Sequence, residues 1–210
     1  MITTTTTHRA EVPGTDLTFE VEGPIPEPHD DDIWVRTLTD DPDGDAYAVS
    51  WLVHDPYGYE AHEWGNPDDD PKEWVNGCFR DFRNDHHGGG EEARNAFYRD
   101  MVEAVGEDRV FIVDVYAHGL EHFSRSNSRF YPDRKWDVAP ACVLAVPPDV
   151  TNPAEWADGV LKEWTAVVNG DTWLIVTHFL RADGSVRDCQ VIGGYTGRDV
   201  AEECAKAGDY

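Results

Sequence analysis

Lysine is nearly missing from this chain, with four against thirteen arginines in 210 residues. Lys and Arg together number 17 against 42 Asp and Glu, a formal net charge of -25. So acidic a chain does not coat DNA, RNA or an anionic membrane by charge alone, which excludes direct nucleic-acid binding of that kind. No run of about 18 apolar residues occurs, so no transmembrane helix is expected. The start, MITTTTTHRAEVPG, has no apolar h-region and reads as no signal peptide. No CxxC pair joins Cys78, Cys142, Cys189 and Cys204, which read as free, packing thiols of a reducing cytosol. G-x-S-x-G, a Walker lysine, a Cys–His arrangement and internal repeats are also missing.

What is present argues for a folded core. Hydrophobic residues make up 40% and aromatics 11%, with eight tryptophans. That is enough large apolar surface to fold against the charge. Residues 1–15 read as a flexible tail, from the Thr run and Pro13-Gly14. Residues 16–210 read as a single domain whose N-terminal third is acidic. Strands are predicted at 16–21, 33–38, 46–53, 110–116 and 141–146, with a hairpin over 172–180 and 185–192. Helices are predicted at 71–82, from Trp74, Cys78 and Phe82 at i, i+4, i+8, and at 91–105, from the stripe Ala93, Phe97, Met101, Val105. Two more follow Asn152-Pro153 and span 198–207. Residues 117–137 read as a long loop. The fold class is α+β, a mostly antiparallel sheet with three to four helices packed against it.

The charge is uneven. Residues 1–70 hold eighteen acids and two basic residues, Arg9 and Arg36. The runs Asp30-Asp31-Asp32, Asp40-Asp41 and Asp68-Asp69-Asp70 read either as solvated loops or as a phosphate-like surface for a DNA-binding enzyme. Scarce lysine also fits a halophilic or Asp-favouring genome. One island reverses the sign: residues 122–136, HFSRSNSRFYPDRKW, carry +3 and leave -28 on the other 195. Arg125, Arg129, Arg134 and Lys135 suit a small anion, since guanidinium groups contact phosphate bidentately, and Tyr116, Tyr131 and Trp136 suit a stacked base. Pairing of those arginines with surrounding acids is an equal reading.

Other motifs are weaker. His118-Gly119-Leu120-Glu121-His122 matches the H-x-x-E-H zinc pattern, and Asp114 lies nearby, but that chemistry needs a helix and Gly119 interrupts it. His86-His87, His54-Asp55 and His62-Glu63 lie in loops or on strands, where adjacent residues face apart. Gly193-Gly194-Tyr195-Thr196-Gly197 precedes a helix, the place for a phosphate-binding turn, without the full glycine pattern. Trp34, Trp51, Trp156, Trp164 and Trp173 read as core. Trp64, Trp74 and Trp136, in or beside loops, read as stacking surfaces.

Several segments carry a resemblance. Asn66 to Asn76, NPDDDPKEWVN, resembles the "DPDP…PREWDN" stretch of a widespread, uncharacterised family of tailed-phage accessory proteins. Val115 to Gly119 resembles its "YDHSG" strand end, and Trp136-Asp137 falls at its "PWDSG". Lys162 to Asp171 resembles "YDQYLTGDVYG", and Asp188 to Tyr195 resembles "DSCWGFYG". The similarity runs in order over roughly residues 60–207. Ala117 stands where the family has an acid, Gly119 where it has Ser, and Cys142 is displaced, which tilts the reading from enzyme to binding.

The resemblance implies a phage protein made in the host cell cytoplasm, and by analogy one that blunts host defence. The leading expectation is a binding protein that sequesters a small nucleotide-like signal of host immunity through Tyr116, His118, Arg125, Arg129, Tyr131, Arg134, Lys135 and Trp136. The alternative is an acidic DNA-mimic decoy that inhibits a host DNA-processing or defence protein. A hydrolase using His118, Glu121 and His122 ranks third. No cofactor and no metal are implied, and a homo-oligomer is left open.

Overall fold

The structure, a computed structural model, describes residues 7–22, 33–39, 41–55, 63–83, 90–126 and 137–208. It is α+β, with three α-helices and antiparallel pairing in every sheet of the described residues. Contacts divide the chain into two compact units, residues Met1–Gly58 with Gly170–Tyr210, and residues Tyr59–Asn169.

The first unit is built from strands with β-branched and aromatic side chains, the types that suit a pleated surface. Strands β1 (Thr7–Glu11) and β2 (Thr18–Glu22) form a two-stranded ribbon. Strands β3 (Ile33–Thr37), β4 (Tyr47–His54), β9 (Thr172–Leu180) and β10 (Val186–Thr196) form a sheet in the order β10-β9-β4-β3. Asp41 sets the β3–β4 turn. Its carboxylate accepts from the Asp43 and Asp45 amides at 2.9 and 3.2 Å, and Gly44 takes φ +77°, which favours glycine. Odd residues of β4 face a core of Val12, Phe19, Val49, Trp51, Val176 and Leu180. On the other face Ser50 and Thr177, paired in register, share a 2.9 Å hydrogen bond. The helix α3 (Arg198–Ala207) follows Gly197 and buries Ala201 and Ala205.

The second unit holds β5 (Cys78–Asp81), β6 (Val110–His118), β7 (Leu120–Arg125) and β8 (Val138–Ala145) in the order β5-β8-β6-β7. The helices are α1 (Glu91–Val105) and α2 (Pro153–Val168). One sheet face meets Phe97 and Met101 of α1 with Trp74, Cys78, Phe82, Val110, Val143 and Ala145. The other meets Ala157 and Leu161 of α2 with Val113, Val115, Phe123, Cys142, Leu144 and Val146. Alternation along each strand produces these two sets. The edge strand β7 is tied to α2: the Glu121 amide donates to Asn169 Oδ1 (2.9 Å), Asn169 Nδ2 donates to the Glu121 carbonyl (2.6 Å), and the Phe123 amide donates to Thr165 Oγ1 (3.1 Å). Edge amides that would face water are thereby satisfied.

Four sequence expectations change. Residues 7–11, expected in a tail, form β1, and Val12 beside them is fully buried. Residues 71–82 are not a helix but a 3-10 turn at Pro71–Glu73, with Asp70 accepting from the Lys72 amide, followed by β5. An i, i+4 spacing is even and so marks one face of a strand as well as of a helix. Residues 120–125, expected in a loop, form β7. Trp64 and Trp74 are core rather than stacking surfaces: Trp74 is buried, and Trp64 stacks on Phe79 with centroids 4.8 Å apart. Trp136, His62, His86 and His87 lie outside the described residues. No helix among the described residues is long and apolar enough to cross a membrane.

Candidate functional site

The β6–β7 hairpin turns on Gly119 at φ +86°, a conformation L side chains avoid. Residues equidistant from Gly119 therefore pair: Tyr116 with His122, and Asp114 with Ser124. Residues directly opposite in an antiparallel pair share a face, here the face of Val110. The result is a polar strip on the face that also carries Val110, Val143 and Ala145. Its inner end is closed, with Asp114 1% and Ser124 5% exposed. Its outer end opens at the half-buried Tyr116 and His122, whose rings stack at 6.5 Å and 27°. An aromatic ring and an imidazole side by side offer a flat surface with hydrogen-bonding edges, the equipment for a planar ligand.

The same register argues against the hydrolytic readings. His118 ends β6, opposite Leu120, while Glu121 and His122 alternate across β7. The H-x-x-E-H pattern therefore lies on a hairpin, without the helix that brings two imidazoles to one metal. The Glu121 carboxylate is engaged by Arg83 at 2.6 and 3.1 Å, on the α2 side. Ser124, His122 and Asp114 share a face, but Asp114 rather than His122 stands opposite Ser124, whereas an acyl-transfer relay needs the imidazole between them. Among the described residues no group of three His, Cys, Asp or Glu is placed to hold a metal ion. The cysteines are free thiols, and burial pushes the Cys78 thiol up to about 11 and raises that of Cys142 also. Neither is an activated nucleophile.

The basic island splits. Arg125 is held by Asp158 of α2 through two 2.7 Å bonds and lies 5.2 Å over the Phe111 ring. Its hydrogen bonds to the Asp158 carboxylate raise its pKa, so this cation is neutralised at home. The chain leaves β7 at Ser126, whose amide donates to the Ile112 carbonyl (2.8 Å), and returns at Val138, paired with Tyr116. Arg129, Tyr131, Arg134, Lys135 and Trp136 lie outside the described residues, and so does the side chain of His118.

The remaining sequence candidates also resolve. Gly193–Thr196, expected as a phosphate-binding turn, are instead the end of β10, because Tyr195 and Thr196 pair with β9, and only Gly197 separates them from α3. The helix start is also filled, since Asp171 Oδ1 accepts the Arg198 amide at 3.2 Å and the Gly197 amide donates to the Asp171 carbonyl at 2.8 Å. A phosphate there would meet a carboxylate. Sequence reasoning missed a row of rings beside it. Tyr195, Trp173 and His54 pair across β10, β9 and β4, and the Arg198 guanidinium lies 5.4 Å over Trp173. Asp171 also fixes the Trp173 indole N–H at 2.7 Å, and His54 Nε2 sits 2.6 Å from the Gly170 carbonyl. This row is closed by its own arginine. No protein-family model matches the sequence, and neither does any curated protein or solved structure.

Proposed function

We propose that this chain is a phage-encoded binding protein, acting in the host cell cytoplasm, that sequesters a small anionic, nucleotide-like signal of host immunity. The observation that carries this reading is the Tyr116–His122 stack at the hairpin beside Val138, where the segment with Arg129, Arg134 and Lys135 rejoins the sheet. Stacking tolerates any base, and arginines give bidentate phosphate contacts. With Arg125 already paired, the anion falls to Arg129, Arg134 and Lys135.

A thermal-shift panel of nucleotides and cyclic nucleotides is the direct test. A ligand present at about 100 times its dissociation constant adds roughly 2.7 kcal/mol. A selective rise is expected, abolished by Arg129→Ala with Arg134→Ala and weakened by Tyr116→Ala, with the fold intact. A flat panel at millimolar ligand removes this reading.

A second reading, an acidic decoy for a host DNA-processing or defence protein, draws on the exposed Asp68, Asp69 and Asp70 at the turn before β5 and the exposed Glu91, Glu92, Asp100 and Glu103 on α1. Its partner would be captured at low salt, released at high salt and displaced by duplex DNA.

A further inference from the structure

We infer that the β1–β2 ribbon is an acid-released cover: protonation of His178 drives the ribbon off the first unit's sheet and uncovers Trp51. Among the described residues the strands of the ribbon pair only with each other. Its turn is also self-contained, with Thr15 Oγ1 donating to the Val12 carbonyl (3.0 Å) and the Val12 amide to the Leu17 carbonyl (2.9 Å). Val12 and Phe19 seat it by side-chain burial against Val49, Trp51, Val176 and Leu180, with Leu17 at their margin, and the β9–β10 turn at Gly184 lies against Leu17 and the Thr18 carbonyl.

Under that cover lies a titratable group. His178 is 3% exposed on β9 and sits in a triangle of rings, 5.5 Å from Phe19 and 5.0 Å from Trp51. Among the described residues neither of its ring nitrogens has a hydrogen-bond partner, and the Trp51 indole N–H beside it has none either. Among the described residues the groups packed around it are apolar from the ribbon (Phe19), from β3 (Val35), from β4 (Val49 and Trp51) and from its own strand (Val176 and Leu180), with the Tyr47 phenol of β4 at the margin of the cluster. From β10 the opposing residue is Cys189, whose thiol burial and Asp188 hold protonated. No carboxylate among these residues stands ready to stabilise an imidazolium. Burial accordingly depresses the His178 pKa below its ordinary 6.5.

The sign follows by linkage. The undocked state binds the proton and the docked state does not, so docking is complete above pH 6.5 and weakens as pH falls below it. An imidazole that titrates normally when uncovered and stays neutral when covered changes the docking equilibrium by about 30-fold between about pH 7.5 and about pH 5. The ribbon, with no ladder to the sheet, is the part that yields first.

Hydrogen exchange of the intact chain, corrected for intrinsic rates, tests this. The ribbon amides should open up to about 30-fold more often at pH 5 than at pH 7.5, with the β4 and β9 amides unchanged. In His178→Phe the ribbon should show no such change. The proposal is overturned if His178→Phe keeps the full pH response, if the wild-type ribbon shows none, or if β4 and β9 open in step with it. Should His178→Phe not fold, the wild-type His178 ring followed by NMR decides. Its protonation must coincide with ribbon opening, and a ring that titrates while the ribbon stays protected refutes the device.

Discussion

Both units build a four-stranded antiparallel sheet, and they differ in what covers it. The second unit clamps its sheet between α1 and α2, and α2 also hydrogen-bonds the edge strand β7 through Thr165 and Asn169. Its partly exposed polar groups are matched, as in Asp81–Arg83–Glu121. The first unit has α3 on one face, and on the other a ribbon that packs Val12 and Phe19 over an imidazole with no hydrogen-bond partner among the described residues. Equal sheets can therefore differ in how they open. A clamped layer opens with its whole core, whereas a cover whose strands have no ladder to the sheet among the described residues can lift alone.

The largest test of that difference is to hollow each core separately. Trp51→Ala should cost about 3–5 kcal/mol and Leu161→Ala about 2–5 kcal/mol, since both side chains are fully buried. Each loss should appear as faster hydrogen exchange in its own unit. If either variant loosens both units alike, the two share one cooperative transition and the contrast fails.

Backbone substitution sharpens the contrast at smaller cost. Gly77 in the second unit has φ +76°, and a Cβ there would stand 2.6 Å from the Ala145 carbonyl. Gly44 in the first unit has φ +77° with open space around it. Gly44→Ala should cost about 1 kcal/mol, from the left-handed conformation alone. Gly77→Ala should cost at least about 2 kcal/mol, because a backbone atom must also shift. Denaturant midpoints at unchanged m-value read both, and equal losses would mean that the second unit's core yields as easily as a surface turn.

Much of this architecture was legible in the chain because its signals are local. The Phe97–Met101 stripe, Asn152-Pro153 and the turns at Asp41 and Arg181 locate α1, α2 and two hairpins. The failures have a shared cause, that short segments take their state from partners distant in sequence. LEHFSR, at 120–125, has few β-formers and becomes a strand because β6 and α2 satisfy it from either side. THRAE, at 7–11, becomes a strand by pairing with β2. The site was half legible. Tyr116, His122 and Arg125 were named from sequence, but Ser124 as the partner of Asp114 needed the register. One signal for it was present, since Tyr116 and His122 stand equally far from Gly119, the one residue there suited to a tight turn. What hid it was the apparent H-x-x-E-H motif laid over the same residues.

The smallest expected effect lies in the second unit's charged cluster. Arg83 bridges Asp81 and Glu121, with all three side chains about a third exposed, so solvent screens the pairs. Glu121→Gln should therefore cost below about 1 kcal/mol, with Phe123 still covered by the remaining Asp81–Arg83 pair. Burial alone would raise the Asp81 carboxyl, but the Arg83 hydrogen bonds and charge outweigh it and hold the group below its ordinary 3.8. Such a group adds stability above pH 3.8 and loses it only as pH falls through the lower folded value. The second unit should thus hold its hydrogen-exchange protection at pH 5, where the ribbon of the first unit is expected to open up to about 30-fold more often. If second-unit protection were lost at pH 5 together with the ribbon, the separation of the two pH windows would be wrong, and the matched cluster would offer no advantage over the unmatched imidazole.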